Sequence, residues 1–459
     1  MLPEEVLLEI FDFYLCEVYN KMEWKTLVHV CRRWRSIVLA APLRLDLRLV
    51  CTDITPVRKM LGIWPALPIA LRFFELTDEA LAALQYRDRI CEIYLGFISD
   101  YKLKSLAEAT RQAPFPALTD LRIEAFGGWP VVPDSLLGGS APGLRSLSLR
   151  RAAFPALGKL LLSAPRLVEL SLCDIRGFAI INSETMADWL PSLTGLVKLQ
   201  IEYRNKRPIQ FLLHRPSNRP PPLTRPVLPV LTTLTFKGGS DYLDPPFSHL
   251  DTPLLKHVNM EFVYPAIFDF SKISPFIGHK ESFEEFDQAQ MLWYCHFQDV
   301  CLRLSSRKGT IGGMWLELRM AYGFEVWHLR SLSQVHHPFA EPPSESGNFD
   351  YPYPDGGHAP SWDSKTGNGQ WLELLRFFTA VEILYLSVSI ARFVAPVLRE
   401  LAAGESAATA RDVLPALQTL FVEKLDLSES GPVREAVGGF VAARKLSGHP
   451  VAVHHWVCN

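Results

Sequence analysis

Three short segments, LTDLRI (118–123), LRSLSL (144–149) and LVELSL (167–172), share one pattern that decides the fold of this chain. Each has apolar residues at its first, fourth and sixth positions, and its second half alternates between apolar and polar side chains. A period of two is typical of a short β-strand with one buried face. The sequence therefore predicts a strand in the second half of each segment.

The same pattern recurs along most of the chain, and a weaker copy is FQDVCL (297–302). The further copies are ICEIYL (90–95), LVKLQI (196–201), LTTLTF (231–236), LKHVNM (255–260), VEILYL (381–386) and LQTLFV (417–422). Helical segments such as FPALGKLLLSAP (154–165) lie between them. Strands and helices alternate every 23–29 residues over much of the chain. This alternation predicts an α/β fold, and in particular an irregular leucine-rich-repeat solenoid with the shape of a horseshoe. The alternative is chance alternation in an ordinary α/β protein.

Polar side chains occupy the alternate positions of these strands, and in such a solenoid they face the concave side. They mix both charges, which fits a protein target better than phosphate or lipid. Each of them alone could also be an ordinary solvated strand position. The predicted target-binding residues are Asp120, Arg122, Glu124, Ser146, Ser148, Arg150, Glu169, Ser171, Lys198, Gln200 and Glu202, and the pattern continues through Thr233, Thr235 and Lys237.

The chain begins with LPEEVLLEIFDFYL (2–15), which predicts a helix with Pro3 in its first turn. Its apolar residues form two stripes. One stripe is Leu2, Val6, Ile10 and Phe13, and the other is Leu8, Phe11 and Leu15. A helix with two apolar stripes must be buried on two sides, either within this chain or against a partner.

A second helical pattern covers residues 24–42 and ends at Pro42. Its apolar face is Leu27, Val30, Cys31, Trp34 and Val38.

These two segments resemble an F-box, a family whose pattern opens with Leu-Pro, continues through an apolar helix and closes on Val-Cys-x-x-Trp. The matching residues are Leu2-Pro3, Val6 to Phe13, and Val30-Cys31-Arg32-Arg33-Trp34. The resemblance implies docking on the Skp adaptor of a cullin-RING ubiquitin ligase. The implied docking residues are Leu2, Pro3, Val6, Ile10, Val30, Cys31 and Trp34, of which some, Trp34 above all, could instead hold the helices together. A plain helical hairpin that caps a larger domain is the alternative.

Together with the link LGIWPALPI (61–69) and the chain's end, these features resemble large families of fungal F-box proteins with degenerate repeats. We predict a small all-α F-box domain at 1–45, a linker or solenoid cap at 46–89, and the solenoid at 90–459. Loops insert at 204–229 and 338–369. Tyr351, Tyr353 and Trp362 of the second loop either anchor a partner or pack onto the solenoid. A helical face from Val433 to Val441 and a strand at 451–456 close the last repeat.

Composition excludes several classes of function. The chain has 459 residues and a formal net charge of −2, so we expect neither nucleic-acid nor membrane binding. It has no visible signal peptide and no apolar run long enough to span a bilayer. The eight cysteines form no C-x-x-C pair and predict free thiols, with Cys31 and Cys173 buried. We expect an intracellular protein of the cytoplasm or nucleus.

Catalytic motifs are weak. KGTIGG (308–313) lacks the Gly-Lys-Ser/Thr of a phosphate-binding loop, and Asp355 and His358 have no third metal ligand nearby. We therefore expect no catalytic residues, metal or cofactor, and predict a non-catalytic receptor that recruits an unknown protein target for ubiquitination. The alternatives are a repeat scaffold that does not bind Skp, and an enzyme with a site hidden in the irregular region 255–381.

Overall fold

A computed structural model gives the structure of most of the chain. The chain divides into two compact units. The first unit comprises Met1–Gly238 and Tyr242–His257, and the second comprises Gly239–Asp241 and Val258–Asn459. The described residues are 2–17, 24–42, 44–53, 55, 57–64, 66–74, 76–111, 114–126, 130–175, 186, 188–203, 227–238, 250–263, 288–294, 299–305, 315–321, 372, 375–376, 378–403, 413–423 and 431–456.

The first unit begins with three helices, α1 (Glu4–Glu17), α2 (Trp24–Val30) and α3 (Arg32–Ala40). Trp24 is fully buried, and its indole Nε1 donates a hydrogen bond to the carbonyl of Arg48 at 3.1 Å. Its ring meets the ring of Trp64 edge-on, with centroids 4.9 Å apart. These contacts fix α2 to Arg48, which directly precedes the first strand, and to Trp64, which lies between the first two strands.

Eight parallel strands follow in chain order, each paired with the next. They are β1 (Leu49–Thr52), β2 (Ile69–Phe73), β3 (Ile90–Ile98), β4 (Asp120–Ala125), β5 (Ser146–Arg150), β6 (Glu169–Ile175), β7 (Lys198–Tyr203) and β8 (Thr233–Gly238). Helices α4 (Val57–Ile63), α5 (Asp78–Ala83), α6 (Asp100–Thr110) and α7 (Leu157–Leu162) lie between strands, and two other links contain 3₁₀ turns at Leu136–Gly139 and Leu190–Ser192.

The core of this unit follows the period-two pattern. Leucines at the same register position of five adjacent strands are each at most 2% exposed. They are Leu121, Leu147, Leu170, Leu199 and Leu234. Burying a leucine side chain contributes about 2 kcal/mol, so one such row outweighs any single polar contact in the unit.

The second unit has the strand order β9-β12-β11-β10-β13-β14-β15. Its strands are β9 (His257–Val263), β10 (Gln288–Tyr294), β11 (Asp299–Ser305), β12 (Trp315–Ala321), β13 (Ile383–Leu386), β14 (Thr419–Glu423) and β15 (Ala452–Trp456). Pairs β10–β11 and β11–β12 are antiparallel, whereas β13 pairs in parallel with β10 and β14, and β14 pairs in parallel with β15.

Two long helices belong to this unit, α8 (Val388–Ala403) and α9 (Pro432–Leu446). Val433, Val437 and Phe440 of α9 are buried, as the sequence predicted, whereas Val441 of the predicted face is half-buried, and β15 confirms the predicted final strand. Arg444 is also buried, and its Nη2 donates to the carbonyls of Leu414, Pro415 and Leu417 at 3.1–3.4 Å. Its guanidinium therefore ties α9 to the turn before β14.

The predicted fold class is wrong in two respects. A leucine-rich-repeat horseshoe needs parallel strands throughout, but β10, β11 and β12 are antiparallel and interrupt the chain order. Only four residues separate β10 from β11, and a parallel crossover needs a dozen or more. A separate N-terminal all-α unit is not seen either, because α1–α3 share one compact unit with β1–β8. What stands is an α/β fold with parallel strands and intervening helices.

The predicted strand segments coincide with β3–β9, β13 and β14, and FQDVCL overlaps β11. The segment 46–89, expected as a linker or cap, contributes β1 and β2. Several predictions lie outside the described residues: the loop 204–229 up to residue 226, the loop 338–369 with its aromatic residues, KGTIGG, and the pair Asp355 and His358. Across the ranges given above, every helix is too short or too polar to cross a bilayer.

Candidate functional site

Helix α1 separates its two apolar stripes between the core and the surface. Leu8 and Phe11 of one stripe are buried together with Leu7, and Leu15 of that stripe is half-buried. The other stripe, called the outer stripe below, keeps 42–67% of each residue exposed. It consists of Leu2, Val6, Ile10 and Phe13. The interior of this unit therefore covers Leu8 and Phe11, and the outer stripe is exposed.

The second helical pattern is broken at Cys31, which corrects the prediction of one continuous helix face. Cys31 has extended backbone angles (φ −158°, ψ 168°) and caps α3, where its Sγ accepts the N–H of Trp34 at 3.4 Å. Val30 and Cys31 are exposed at this junction, whereas Leu27 and Val38 are buried. The prediction that the Cys31 thiol is buried is therefore wrong, because the chain turns there, and Cys173 is half-buried.

Trp34 is half-buried, and its ring meets Phe11 of α1 edge-on with centroids 4.8 Å apart. Such an edge-to-face pair adds about 0.5–1.5 kcal/mol beyond the burial of its area. Trp34 thus holds α3 against α1, and its remaining surface lies beside the exposed α2–α3 junction.

Arginines bind the start of the chain to these helices. Arg33 donates from Nη2 to the carbonyl of Leu2 at 2.6 Å, and Arg44 pairs with Glu9 of α1. Arg35 donates from Nε to the carbonyl of Val28 at 2.9 Å. The bond from Arg33 brings Leu2 and the adjacent, exposed Pro3 to α3. Of the predicted adaptor residues, Leu2, Pro3, Val6, Ile10, Val30 and Cys31 are exposed, whereas Trp34 is half-buried and contacts the buried stripe of α1 through Phe11.

The predicted target-binding residues also come together, because register aligns them across adjacent strands. One row joins Asp120, Ser146, Glu169, Lys198 and Thr233. A second row joins Arg122, Ser148, Ser171, Gln200 and Thr235, and two shorter pairs are Glu124 with Arg150 and Glu202 with Lys237. Neighbouring strands are about 4.8 Å apart, so these side chains form one continuous polar face.

Hydrogen bonds link part of this polar face. Ser171 donates to Gln200 Oε1 at 3.2 Å, and Gln200 Nε2 donates to Glu202 Oε1 at 2.7 Å. Arg150 lies between Glu124 and Asp174, with Nε–O distances of 3.8 and 3.7 Å. These contacts order the side chains but add little to the stability of the fold, since exposed ion pairs contribute about 0–1 kcal/mol.

Three described thiols are poor nucleophiles. Burial raises the pKa of the Cys51 thiol to about 11, and burial also raises the pKa values of Cys91 and Cys173. A thiol reacts as its thiolate, so these groups stay protonated and inert near neutral pH. Within the described ranges, no three His, Cys, Asp or Glu side chains lie close enough to hold a metal ion.

Sequence reasoning missed one group of exposed aromatic residues. Phe74 directly follows β2, Phe97 lies near the end of β3, and Phe126 directly follows β4. All three are 50–60% exposed. The sequence does contain a signal for this group, because an aromatic residue recurs at the carboxyl end of three consecutive strands. The period-two pattern of the strands does not require an aromatic residue there.

Compared with known proteins, the chain matches no family model and no curated protein.

Proposed function

We propose that this protein is a substrate-receptor subunit of a Skp–cullin–F-box ubiquitin ligase. The Skp adaptor docks on the outer stripe and on the α2–α3 junction, and other surfaces hold a protein target. The observation that carries the proposal is the division of α1, whose inner stripe is buried while Leu2, Val6, Ile10 and Phe13 remain exposed in one line.

An apolar helix face of this kind costs free energy in water unless a partner covers it. Covering the exposed half of a leucine-sized side chain contributes on the order of 1 kcal/mol, so the outer stripe offers on the order of 4 kcal/mol before association costs. Val30, exposed at the helix junction, extends the same kind of surface. Association itself costs about 4–15 kcal/mol, so the rest of the interface has to supply further apolar and polar contacts.

The mechanism is proximity. The receptor holds its target beside a ubiquitin-charged enzyme of the ligase and so raises the effective concentration of the target lysine. It makes and breaks no covalent bond itself and needs no cofactor. Such a receptor works inside the cell, in the cytoplasm or the nucleus, where the ligase acts.

The test is a pull-down with purified Skp adaptor. Wild type is compared with the double variant Leu2→Asp, Ile10→Asp, which places two charges on the outer stripe. The matched control is Leu162→Asp, Leu446→Asp, because both leucines are exposed but lie on α7 and α9. Circular dichroism and urea unfolding verify that all three proteins are equally folded.

We expect the adaptor to capture wild type and the control, and to lose at least about tenfold in affinity for the outer-stripe variant. Failure of well-folded wild type to bind the adaptor would overturn the receptor assignment. A scaffold that binds other proteins would then be the better description.

A further inference from the structure

The three exposed phenylalanines form a connected patch. Phe97 contacts Phe126 edge-on with ring centroids 5.4 Å apart, and it contacts Phe74 with centroids 6.4 Å apart. We call Phe74, Phe97 and Phe126 the phenylalanine patch. It lies at the carboxyl ends of β2, β3 and β4, which is the edge of parallel α/β sheets where ligands commonly bind. Contiguous exposed aromatic surface of this kind marks interaction sites.

Phe97 is held on the surface by strained backbone. Its φ is +49°, in the left-handed region that a bulky side chain rarely adopts. The pairing register of β3 with β4 shifts between Leu95 and Ile98, so Phe97 occupies a β-bulge. Backbone strain of this kind costs on the order of 1–3 kcal/mol and is concentrated at functional sites. Folding alone would favour glycine at this position.

Tyr94 connects the patch to the polar face. Its ring meets Phe74 edge-on with centroids 6.4 Å apart, and both residues approach across Gly96. A Cβ at residue 96 would lie 3.3 Å from Tyr94 Oη and 3.5 Å from Phe74 Cδ1, so glycine gives them room. The guanidinium of Arg122 lies 5.8 Å from the centre of the Tyr94 ring. Arg122, Tyr94 and the patch thus form one continuous surface.

The described carboxylates around this surface pair with groups other than Arg122. Glu92 is bound by Arg48 at 3.1 Å and by Arg72 at 2.7 Å, and Asp53 accepts the backbone N–H of Phe74 at 3.1 Å. Among the described residues, no carboxylate ion-pairs with Arg122, which is exposed. A ligand that complements this surface therefore carries a negative charge close to an apolar anchor.

We propose that the phenylalanine patch and Arg122 form the target-binding site of this protein, and that they take an extended peptide segment with an apolar or aromatic anchor next to an acidic residue. The anchor packs on the patch, and the carboxylate pairs with Arg122. The assignment of this surface to ubiquitination targets rests on the proposed receptor function. Binding itself needs no adaptor.

The test uses two sets of short fluorescein-labelled peptides in a Gly-Ser background. Each peptide of the acidic set carries one Trp or Leu and one Asp or Glu, and the distance between these two residues varies up to about four residues across the set. The basic set is identical except that Lys replaces the acidic residue. Fluorescence anisotropy with the full-length protein measures affinity at low salt. The variants are Phe97→Gly, which removes the ring and relieves the backbone, Arg122→Glu, and the control Leu162→Ser on α7.

We expect wild type and Leu162→Ser to bind the best acidic peptides at least about tenfold more tightly than their Lys counterparts. Phe97→Gly loses this binding without loss of stability, which separates a binding defect from misfolding. Arg122→Glu reverses the preference toward the basic set. Equal affinity for the two sets, no saturable binding by wild type, or unchanged binding by Phe97→Gly would each overturn the site.

The two proposals fail separately. If the adaptor does not bind but the acidic peptides do, the site is a peptide-binding surface and its proposed role in a ligase is wrong. If the adaptor binds and the peptides do not, the receptor stands and its target site lies elsewhere.

Discussion

Tryptophan has two different roles at the start of this chain. Trp24 is fully buried and bonded to the carbonyl of Arg48, whereas Trp34 is half-buried and touches Phe11 with one ring edge. The F-box resemblance assigns Trp34 to adaptor docking, and its contact with Phe11 gives it a structural task as well. Stability measurements can separate the two residues.

We expect Trp24→Ala to lower the free energy of unfolding by about 3–5 kcal/mol, the usual cost for a buried tryptophan. Trp34→Ala should cost less, about 1–3 kcal/mol, because part of the ring is already in water. Urea unfolding of both variants against wild type measures the difference. Equal losses would mean that Trp34 is as buried as Trp24 in solution.

The buried thiol of Cys51 links stability to alkaline pH. Its pKa is raised to about 11 in the folded chain from an ordinary value of 9.0, so the folded state favours the protonated thiol. A raised pKa contributes stability that is complete below about pH 9 and is lost as the pH rises through about 11. The full loss is on the order of 2–3 kcal/mol.

Cys51→Ala removes this titration, while Lys25, whose pKa is lowered by burial, remains in both proteins. We therefore expect the stability difference between wild type and Cys51→Ala to shrink between about pH 9 and 11. Urea unfolding at several pH values measures this difference. A difference that stays constant across that window would show that the thiol is not buried.

At the scale of elements, register converts a sequence pattern into a surface. The polar residues of β4, β5, β6 and β7 align because each strand pairs in parallel with the next without a slip at these positions. Ser146 therefore lies between Asp120 and Glu169, while Ser148 lies between Arg122 and Ser171. The two serines therefore have different charges beside them.

We expect Ser146→Lys to stabilise the protein by about 0.2–1 kcal/mol at low salt, because the new cation has an acid on each neighbouring strand. The matched variant Ser148→Lys places its charge beside Arg122 and should be neutral or destabilising. Unfolding at low salt and at about 1 M salt measures both effects, since salt screens them. Equal effects of the two variants would contradict this register.

At the scale of the whole molecule, the chain forms two compact units with different strand arrangements. The first contains eight parallel strands in chain order, and the second contains the antiparallel strands β10–β12. The proposed adaptor and target surfaces both use residues of the first unit. In the second unit, α9 packs through Phe440, which is buried.

We expect Phe440→Ala to cost about 3–5 kcal/mol and Leu446→Ala, at an exposed position of the same helix, to stay within about 0.5 kcal/mol of wild type. Hydrogen exchange should show the loss of protection for Phe440→Ala in α9, β14 and β15 rather than in α1–α3. Loss spread evenly over the whole chain would mean that the chain unfolds as one cooperative unit.

The sequence by itself determined the local elements of this protein. Alternation placed strands β3–β9, β13 and β14, and apolar periodicity located α1, its two stripes and α9, because these patterns reflect which faces must leave water. Tertiary structure alone decided which stripe of α1 is covered, how β10–β12 pair, and where Phe74, Phe97 and Phe126 meet. A local pattern specifies an apolar face but not its partner, and strand order arises from pairing between distant segments.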